Sequence, residues 1–383
     1  MDGREAEGSW NWSTITRILI KAVGMFVVFN LIFACFDPWP LMAKLSVYNS
    51  IVPGRRRLPF GSDPQRSYNL TITQLDVMVA SHEIAGEEKQ PGEFRVLVLG
   101  DSAVWGFLLQ PGETLPAQAD AAGYHTADGR HIRAYNFGYP TMSLTKDLLL
   151  LSRGMEFEPD MIVWFLTLES TWRENQIAPL VQFNPGATRA LILEYHLDLN
   201  PDDTRFQPTS FWRRTIVGQR RELANDIRLQ FYGLLWASTG VDRYIPTAEA
   251  REIREPSVDL NYHGTLPGEL QDSQLSFDVL SAGAALAGEV PVLIINEPIY
   301  IDESIGDGRY YNEDYPRWIY DSFRERLWAT SEREGWSLLD LWDWLPSEDF
   351  KDSTVHYDAE AAGVLASFLA ETIYTFTESA GDR

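Results

Sequence analysis

Short apolar runs alternate with segments of helical spacing over most of the chain after residue 93. Five runs have the length and composition of buried strands: 94–99, 132–138, 160–166, 290–295 and 336–340. Helical spacing of apolar residues occurs in four segments: 114–122, 144–155, 318–332 and 359–376. Strands that alternate with helices predict a parallel sheet covered by helices on both faces. The pattern therefore predicts an α/β fold.

The longest apolar run, residues 18–36, lies ahead of this alternating region and contains one charge, Lys21. As a helix it is about 28 Å long, close to the ~30 Å of a bilayer's hydrocarbon core. Arg17 on its N-terminal side and Trp39 after it favour a single-pass anchor, with residues 1–17 cytoplasmic and the body extracytoplasmic. A cleaved signal peptide and a buried helix of a soluble protein are the alternatives, and the basic run 55–57 weakens the orientation.

The remaining chain divides by pattern into a connector, an α/β domain and an insertion. Residues 37–93 have no clean periodicity and predict a juxtamembrane connector. The α/β domain comprises residues 94–169 and 286–383, and the interval 170–285 is too long for a simple crossover. We expect this interval to form a cap subdomain over the C-terminal edge of the sheet. Its segment 211–236 carries five arginines among aromatic residues, which favours either a solvated cap helix or a surface for lipid head groups or an anionic substrate.

Composition excludes several classes of function. The 383 residues carry a formal net charge of −23, with a pI near 4.6, which argues against nucleic acid as a partner. The single cysteine, Cys35, excludes an intramolecular disulfide and a cysteine metal site. The six histidines have no metal-ligand spacing, so we expect neither a metal nor another cofactor.

The first candidate for chemistry is Gly100-Asp101-Ser102, directly after the first predicted strand. A tight turn there would project the Ser102 hydroxyl above the edge where α/β folds bind ligands. The backbone N–H groups of such a turn can stabilise an oxyanion. A serine or Asx turn without chemistry is the alternative.

The second candidate is the loop before the last helix, which contains Asp352 and His356. A serine hydroxyl needs a base to become a nucleophile, and the base needs a carboxylate to orient it. His356 is predicted to reach back over the sheet to Ser102, with Asp352 as its partner. In the alternative, both residues serve only local turn and capping roles.

These motifs resemble those of the SGNH hydrolases, also called GDSL-type esterases. The resemblance rests on Gly100-Asp101-Ser102, on Asn136-Phe137-Gly138 and on the pair Asp352 and His356, and it covers residues 94–169 and 286–376. It implies a three-layer, flavodoxin-like fold with Ser102 as nucleophile, completed by His356 and Asp352. It also implies an oxyanion hole formed by the backbone N–H groups of Ser102 and Gly138.

Two departures from the family pattern accompany the resemblance. Glu169 stands where the family's third motif has asparagine, and an ionised carboxylate there would repel an oxyanion. The family usually places its aspartate three residues before the histidine, a position that Ser353 holds here. Further residues are expected to line the site, namely Asp101, Asn136, Glu169, Asn296 and Glu297.

The sequence therefore predicts a membrane-anchored, extracytoplasmic serine esterase or O-acyltransferase. Its expected substrate is an acyl ester of an envelope glycan or lipid, and the resemblance implies a membrane-bound O-acyltransferase as a partner. The alternative is a catalytically silent binding or scaffold protein of the same fold in a membrane assembly, which Glu169 favours. A phosphoryl-binding protein is the weakest hypothesis, because the chain has no Walker-type phosphate loop.

Overall fold

A five-stranded parallel sheet organises the chain. The computed structural model describes residues 12–45, 47–52, 54–60, 74–207, 210–239, 260–305 and 308–381. The strands are β1 (Glu93–Leu99), β2 (His131–Asn136), β3 (Met161–Leu166), β4 (Val292–Asn296) and β5 (Ser337–Asp340). Their order is β2-β1-β3-β4-β5 and every pair is parallel. This is the flavodoxin-like order, so the fold class predicted from the sequence is confirmed.

The order of the strands determines where a site can form. β1 is central and pairs with both β2 and β3, with Val98 opposite Asn136 and Leu99 opposite Trp164. After β1 the chain crosses to β2, towards one end of the strand order, whereas after β3 it crosses to β4, towards the other end. Ligands of such sheets bind at the carboxyl ends of the strands, where the strand order reverses. The residues after β1 and β3 occupy that place.

The helices include short turns and long crossover segments. They are α1 (Trp12–Phe36), α2 (Trp39–Lys44), α3 (Val47–Ile51), α4 (Leu75–Ala80), α5 (Ser102–Trp105), α6 (Leu115–Ala121), α7 (Leu144–Gly154), α8 (Leu168–Thr171), α9 (Pro179–Phe183), α10 (Pro185–Tyr195), α11 (Arg220–Thr239), α12 (Phe277–Ala287), α13 (Arg317–Glu334) and α14 (Ala359–Gly381). Six 3-10 turns join them at Glu83–Gly86, Met155–Phe157, Arg173–Gln176, Phe211–Arg214, Asp272–Gln274 and Ser347–Asp349.

Helices cover both faces of the sheet and complete the three layers. α6 packs against α14, whereas α7 packs against α12, which also contacts α13. Every residue of β1 and β3 is buried, as expected for strands covered on two sides. Gly283 of α12 lies so close to β3 that an added Cβ would be 2.2 Å from the Trp164 ring, which explains the small residue there.

The apolar N-terminal run forms the helix α1, and most of its side chains are exposed. By length and composition α1 is able to cross a membrane, and a signal sequence has the same character. The connector after it packs into the core of the α/β domain through Leu58, Leu75 and Met78. The connector is thus structurally part of that domain.

The predicted insertion has two differently placed parts. Its ends stay near β3, where Trp172 bridges Leu275 and the Ser276 N–H donates to the Thr171 carbonyl over 2.8 Å. Helix α11 instead packs against α3, and the 3-10 turn Phe211–Arg214 that precedes it contacts α1. Helix α12 crosses the expected boundary at residue 285 and belongs to a layer of the sheet. Residues 1–11 of the predicted N-terminus, 61–73 of the connector and 240–259 of the insertion lie outside the described residues.

Candidate active site

The turn after β1 carries Ser102 as the first residue of α5. Asp101 is the N-cap, and its Oδ1 accepts a hydrogen bond from the Ala103 N–H over 2.8 Å. A Cβ on Gly100 would lie 2.6 Å from Val104, so only glycine allows the chain to turn so close to α5. Within the described residues, no acceptor is bonded to the N–H of Ser102, as expected for the first turn of a helix.

Gly138 and Asn136 hold the loop after β2 against this turn. A Cβ on Gly138 would be 2.6 Å from the Trp105 nitrogen, so this position requires glycine. The Asn136 side chain donates to the Val104 carbonyl over 2.9 Å and accepts from the Gly138 N–H over 3.0 Å. The Gly138 N–H is therefore engaged within the chain, which differs from the open oxyanion donor that the resemblance implies.

The loop that contains His356 is fixed by its own backbone. The Lys351 N–H donates to the His356 carbonyl over 2.9 Å, and Phe350 bridges Tyr357 in antiparallel fashion. Ser353 Oγ accepts from the His356 N–H over 3.1 Å. The residue at the family's usual aspartate position therefore closes the turn, and the carboxylate comes from Asp352, one residue earlier.

The structure brings Ser102, His356 and Asp352 into a continuous chain of contacts. His356 Nε2 lies 2.8 Å from Ser102 Oγ, and His356 Nδ1 lies 2.8 Å from Asp352 Oδ1. An ionised carboxylate only accepts hydrogen bonds, so Nδ1 donates to Asp352 and Nε2 is left to accept from the serine hydroxyl. The imidazole also stacks on Phe107, with 4.8 Å between ring centroids. This arrangement suits general-base activation of Ser102.

A buried group of ionisable residues lies beneath the turn. Lys146 Nζ donates to the carbonyls of Gly100 over 2.7 Å and Tyr139 over 3.0 Å, and pairs with Asp147. Burial raises the pKa of Asp147 to about 7, although Lys146 opposes the shift. These contacts tie the end of β1 to the loop after β2, and nothing in the sequence pattern distinguished Lys146.

Glu297, the residue after β4, belongs to the same buried group. Burial, followed by the charge of Asp101, raises the pKa of Glu297 well above its usual range. A protonated Glu297 can donate a hydrogen bond to Asp101, the N-cap of the helix that begins at Ser102. Glu297 is buried beneath the turn, and its expected place among the residues that line the site stays a prediction.

Glu169 does not face the turn as a free carboxylate but is held by donors from its surroundings. Its side chain accepts from Asn175 over 2.7 Å, from His263 Nε2 over 2.9 Å and from the Tyr262 hydroxyl. Burial alone would raise the pKa of Glu169, but the hydrogen bonds from His263 and Tyr262 lower it on balance. Glu169 is therefore ionised and joins the insertion to the edge of the sheet. The sequence did not indicate the roles of Tyr262 and His263, because both lie more than 90 positions from Glu169.

Two further residues have structural roles around the site. The Asn296 side chain donates to Asp340 Oδ1 over 2.7 Å and accepts from the Tyr320 hydroxyl, so its amide links the ends of β4 and β5. Arg57 of the connector stacks over Trp105 and donates to the Gly106 carbonyl over 2.8 Å. Burial, with a smaller effect of Arg55, lowers the pKa of Arg57 to about 10. In the part of the chain that the structure describes, no group of three or more His, Cys, Asp or Glu is arranged to hold a metal ion.

Comparison with known proteins gives structural likeness only. No family model matches the sequence, and no curated protein matches it. The chain is similar to GDSL-like hydrolases of known structure. A GDSL-like lipase from Bacteroides thetaiotaomicron is 11% identical, with 80% of this chain and 99% of that chain covered and a TM-score of 0.40. A lipase/acylhydrolase from Enterococcus faecalis is 12% identical, with 73% and 95% covered and a TM-score of 0.35.

A third similar structure is a carbohydrate acetylesterase family member from Sinorhizobium meliloti. It is 10% identical, the alignment covers 74% of this chain and 99% of that chain, and the TM-score is 0.33. At such identities the likeness concerns the fold. The chemistry of the site depends on the contacts of Ser102, His356 and Asp352.

Proposed function

We propose that the chain is an SGNH-type serine esterase or O-acyltransferase. The observation that carries this proposal is the pair of 2.8 Å contacts that His356 makes, one to Ser102 Oγ and one to Asp352 Oδ1. Three side chains from two loops, 254 residues apart along the chain, share one line of hydrogen bonds. In serine hydrolases, such a line of hydrogen bonds joins a nucleophile, its base and the group that orients the base.

The reaction begins with attack of Ser102 Oγ on the carbonyl carbon of an ester, while His356 Nε2 takes the hydroxyl proton. The resulting oxyanion accepts a hydrogen bond from the Ser102 N–H. The intermediate collapses to an acyl-serine, and the leaving alkoxide takes the proton from His356. Water, or an acceptor alcohol, then attacks the acyl group with the same base, which gives hydrolysis or transfer.

In this proposal Gly138 contributes less to oxyanion binding than the resemblance implies. Its N–H is bonded to Asn136 Oδ1 and can serve an oxyanion only if that hydrogen bond is shared or the amide turns. The Ser102 N–H is therefore the main backbone donor in this proposal. Glu169, already accepting from Asn175, Tyr262 and His263, is assigned to the attachment of the insertion.

The setting of the reaction is proposed to be a membrane surface. Helix α1 serves as a retained anchor, with the α/β domain outside the cytoplasm, because its apolar side chains are exposed along most of its length. We propose an acyl ester of an envelope glycan or lipid as substrate and a membrane-bound O-acyltransferase as a partner. These two assignments depend on the resemblance and on the anchor.

The experiment is ester hydrolysis by the purified full-length chain, with p-nitrophenyl acetate as substrate. Ser102→Ala should lower kcat/KM by about 10³-fold or more, as loss of a nucleophile does in other serine hydrolases. Ser152→Ala is the matched control, because that hydroxyl only bonds the Leu149 carbonyl within α7. A folded Ser102→Ala variant with unchanged turnover would refute the proposal.

A catalytically silent binding or scaffold protein is the second candidate. The engagement of the Gly138 N–H by Asn136 favours it, because an oxyanion hole then has one donor fewer. In this case the wild type would not hydrolyse esters, and Ser102→Ala would leave the binding of an acylated glycan unchanged.

A further inference from the structure

We propose that residues 211–239, here called the arm, lie in the head-group region of the bilayer beside α1. The arm comprises the 3-10 turn Phe211–Arg214 and helix α11. This inference rests on the proposed membrane anchor and goes beyond it, because it adds a second membrane contact that sets the orientation of the α/β domain.

The arm is fixed to the N-terminal elements by polar contacts. The Val217 N–H donates to Asn30 Oδ1 of α1 over 3.1 Å, and the Trp39 indole N–H donates to Gln219. The Tyr48 N–H donates to Gln230 Oε1 over 3.1 Å. The arm is therefore positioned with respect to the anchor.

One face of α11 is buried against the connector. Leu229 forms a small apolar cluster with Trp39, Tyr48 and Val77, separate from the main core. Gly233 lies against the Tyr48 ring, where an added Cβ would be 2.1 Å from Cδ2. This packing determines which face of α11 points outward.

The outward face of α11 is apolar although it is exposed. Ile227, Phe231, Leu234 and Leu235 follow one another at the spacing of a single helical stripe, and Phe231 is 74% exposed. A soluble helix with one buried face normally presents polar residues on the other. An apolar stripe that adjoins an anchor fits insertion between lipid head groups and acyl chains.

Other exposed apolar residues lie in the elements that the arm contacts, α1 and α3, and in the connector between them. Exposed large hydrophobic side chains are concentrated in α1, in the connector and in the arm: examples are Phe36, Leu41, Leu45, Ile51 and Trp212. Elsewhere in the described residues they are scattered along the chain. Exposed apolar residues that are concentrated in neighbouring elements mark an interaction site.

Depth and charge indicate the lipid interface as the occupant. Asn30 lies six residues before the end of α1, so the segment around Val217 is about 9 Å along the helix axis from that end. Interfacial helices insert to roughly this depth. The arm carries five exposed arginines but only two acidic residues, in a chain of net charge −23, and this local positive charge suits anionic head groups.

The test uses full-length protein in vesicles of phosphatidylcholine and phosphatidylglycerol, labelled with an environment-sensitive NBD dye on one cysteine. Cys35, the native cysteine on α1, reports the anchor. Phe231→Cys in a Cys35→Ser background reports the arm, with Leu235→Cys as a second variant. Glu332→Cys in the same background, on the exposed surface of α13, is the aqueous control.

We expect the dye at residue 231 to be quenched by lipid-borne nitroxide several-fold more than the dye at residue 332, and to be protected from iodide in the water. A lipid-exposed dye at Cys35 with a water-exposed dye at residues 231 and 235 would overturn the arm and leave the anchor. Water exposure at all three would overturn the anchor itself. Protection of residue 231 from both quenchers would mean that protein covers the stripe, which also contradicts the proposal.

Discussion

Two carboxylate–histidine pairs lie at the same edge of the sheet, and their comparison explains why we assign only one of them to catalysis. Asp352 contacts His356 Nδ1 over 2.8 Å, and Glu169 contacts His263 Nε2 over 2.9 Å. Their distances are almost equal. The difference lies on the other side of the imidazole: His356 meets Ser102 Oγ, whereas no described residue is hydrogen-bonded to Nδ1 of His263.

The surroundings of the two pairs also differ. The His356 side chain is 12% exposed and comes from the same tight loop as its carboxylate, four residues apart. The His263 side chain is 38% exposed, stacks on Trp172 and is 94 residues from Glu169. In the proposed mechanism the first pair orients a base, whereas the second attaches the insertion to the sheet. A carboxylate–histidine pair is thus a candidate catalytic group when its imidazole also contacts a nucleophile, as His356 contacts Ser102 Oγ.

The largest expected difference between the pairs is in ester hydrolysis after loss of each imidazole. His356→Asn should reduce kcat by about 10³-fold or more, since Ser102 then lacks its base. His263→Asn should leave kcat close to the wild-type value, because its ring has no contact with Ser102. Steady-state kinetics on folded variants measures both, and equal losses would contradict the assignment of separate roles.

The carboxylates should show the same contrast on a smaller scale. Asp352→Asn keeps the size of the side chain but no longer favours the Nδ1–H tautomer, and we expect a loss of kcat of about 10²–10⁴-fold. Glu169→Gln keeps the hydrogen-bond acceptor, so activity should change little. A deficit in Glu169→Gln as large as that in Asp352→Asn would place Glu169 in the reaction.

Substitutions of Glu297, whose carboxyl is buried beneath the turn, distinguish a positioning role from a catalytic role. Because folding raises the pKa of Glu297, stability should fall as pH increases above the ordinary value of 4.5. Glu297→Gln removes this titration and keeps a donor for Asp101. As pH rises from 4.5 towards the raised pKa of Glu297, the variant should gain up to about 1.4 kcal/mol in unfolding free energy per pH unit relative to wild type.

Urea unfolding over a range of pH measures this difference, and Glu297→Leu is the matched control because it also removes the donor. Glu297→Gln should retain esterase activity, whereas Glu297→Leu should lose part of it through the unsatisfied Asp101. A stability difference that does not change with pH would show that Glu297 does not titrate as described.

The smallest expected effect is on the stability that the ion pair of Glu169 and His263 contributes. The hydrogen bond to Glu169 raises the pKa of His263 above 6.5, so this contribution is lost as pH rises through the raised value. The lowered pKa of Glu169 means that its contribution is lost as pH falls below 4.5. The melting temperatures of wild type and His263→Asn should therefore differ most between pH 4.5 and 6.5.

The difference should be about 2 °C or less, because a half-exposed ion pair is screened by solvent. Differential scanning calorimetry across pH 4 to 8 is sensitive enough to measure it. A difference that keeps increasing above this window would contradict the sign of the His263 shift.

The sheet and its flanking helices were predictable from the sequence because their signal is local. The predicted strand 160–166 is β3, and the segment 114–122 is α6 with Thr114 as its N-cap. Hydrophobic periodicity records which residues face a core, and that information is complete within a short window. That Ser102, Asp352 and His356 lie together was predictable for a similar reason, since each lies in a loop that directly follows or precedes a recognisable element.

The remaining features depend on contacts between distant segments. Nothing around Tyr262 or His263 indicates that their side chains reach Glu169, and the burial that shifts the pKa of Glu297 exists only in the folded sheet. The engagement of the Gly138 N–H by Asn136 is likewise a property of loop conformation. Such contacts decide the electrostatics of the site, and a linear pattern does not contain them.

The central claim is that His356 activates Ser102, and covalent labelling tests it most directly. The full-length protein is treated with a fluorophosphonate, which reacts with activated serines, and the modified peptide is identified by mass spectrometry. We predict one adduct, on Ser102, and its loss in His356→Asn but not in His263→Asn. Absence of an adduct on folded wild-type protein, or equal labelling in His356→Asn, would contradict the account.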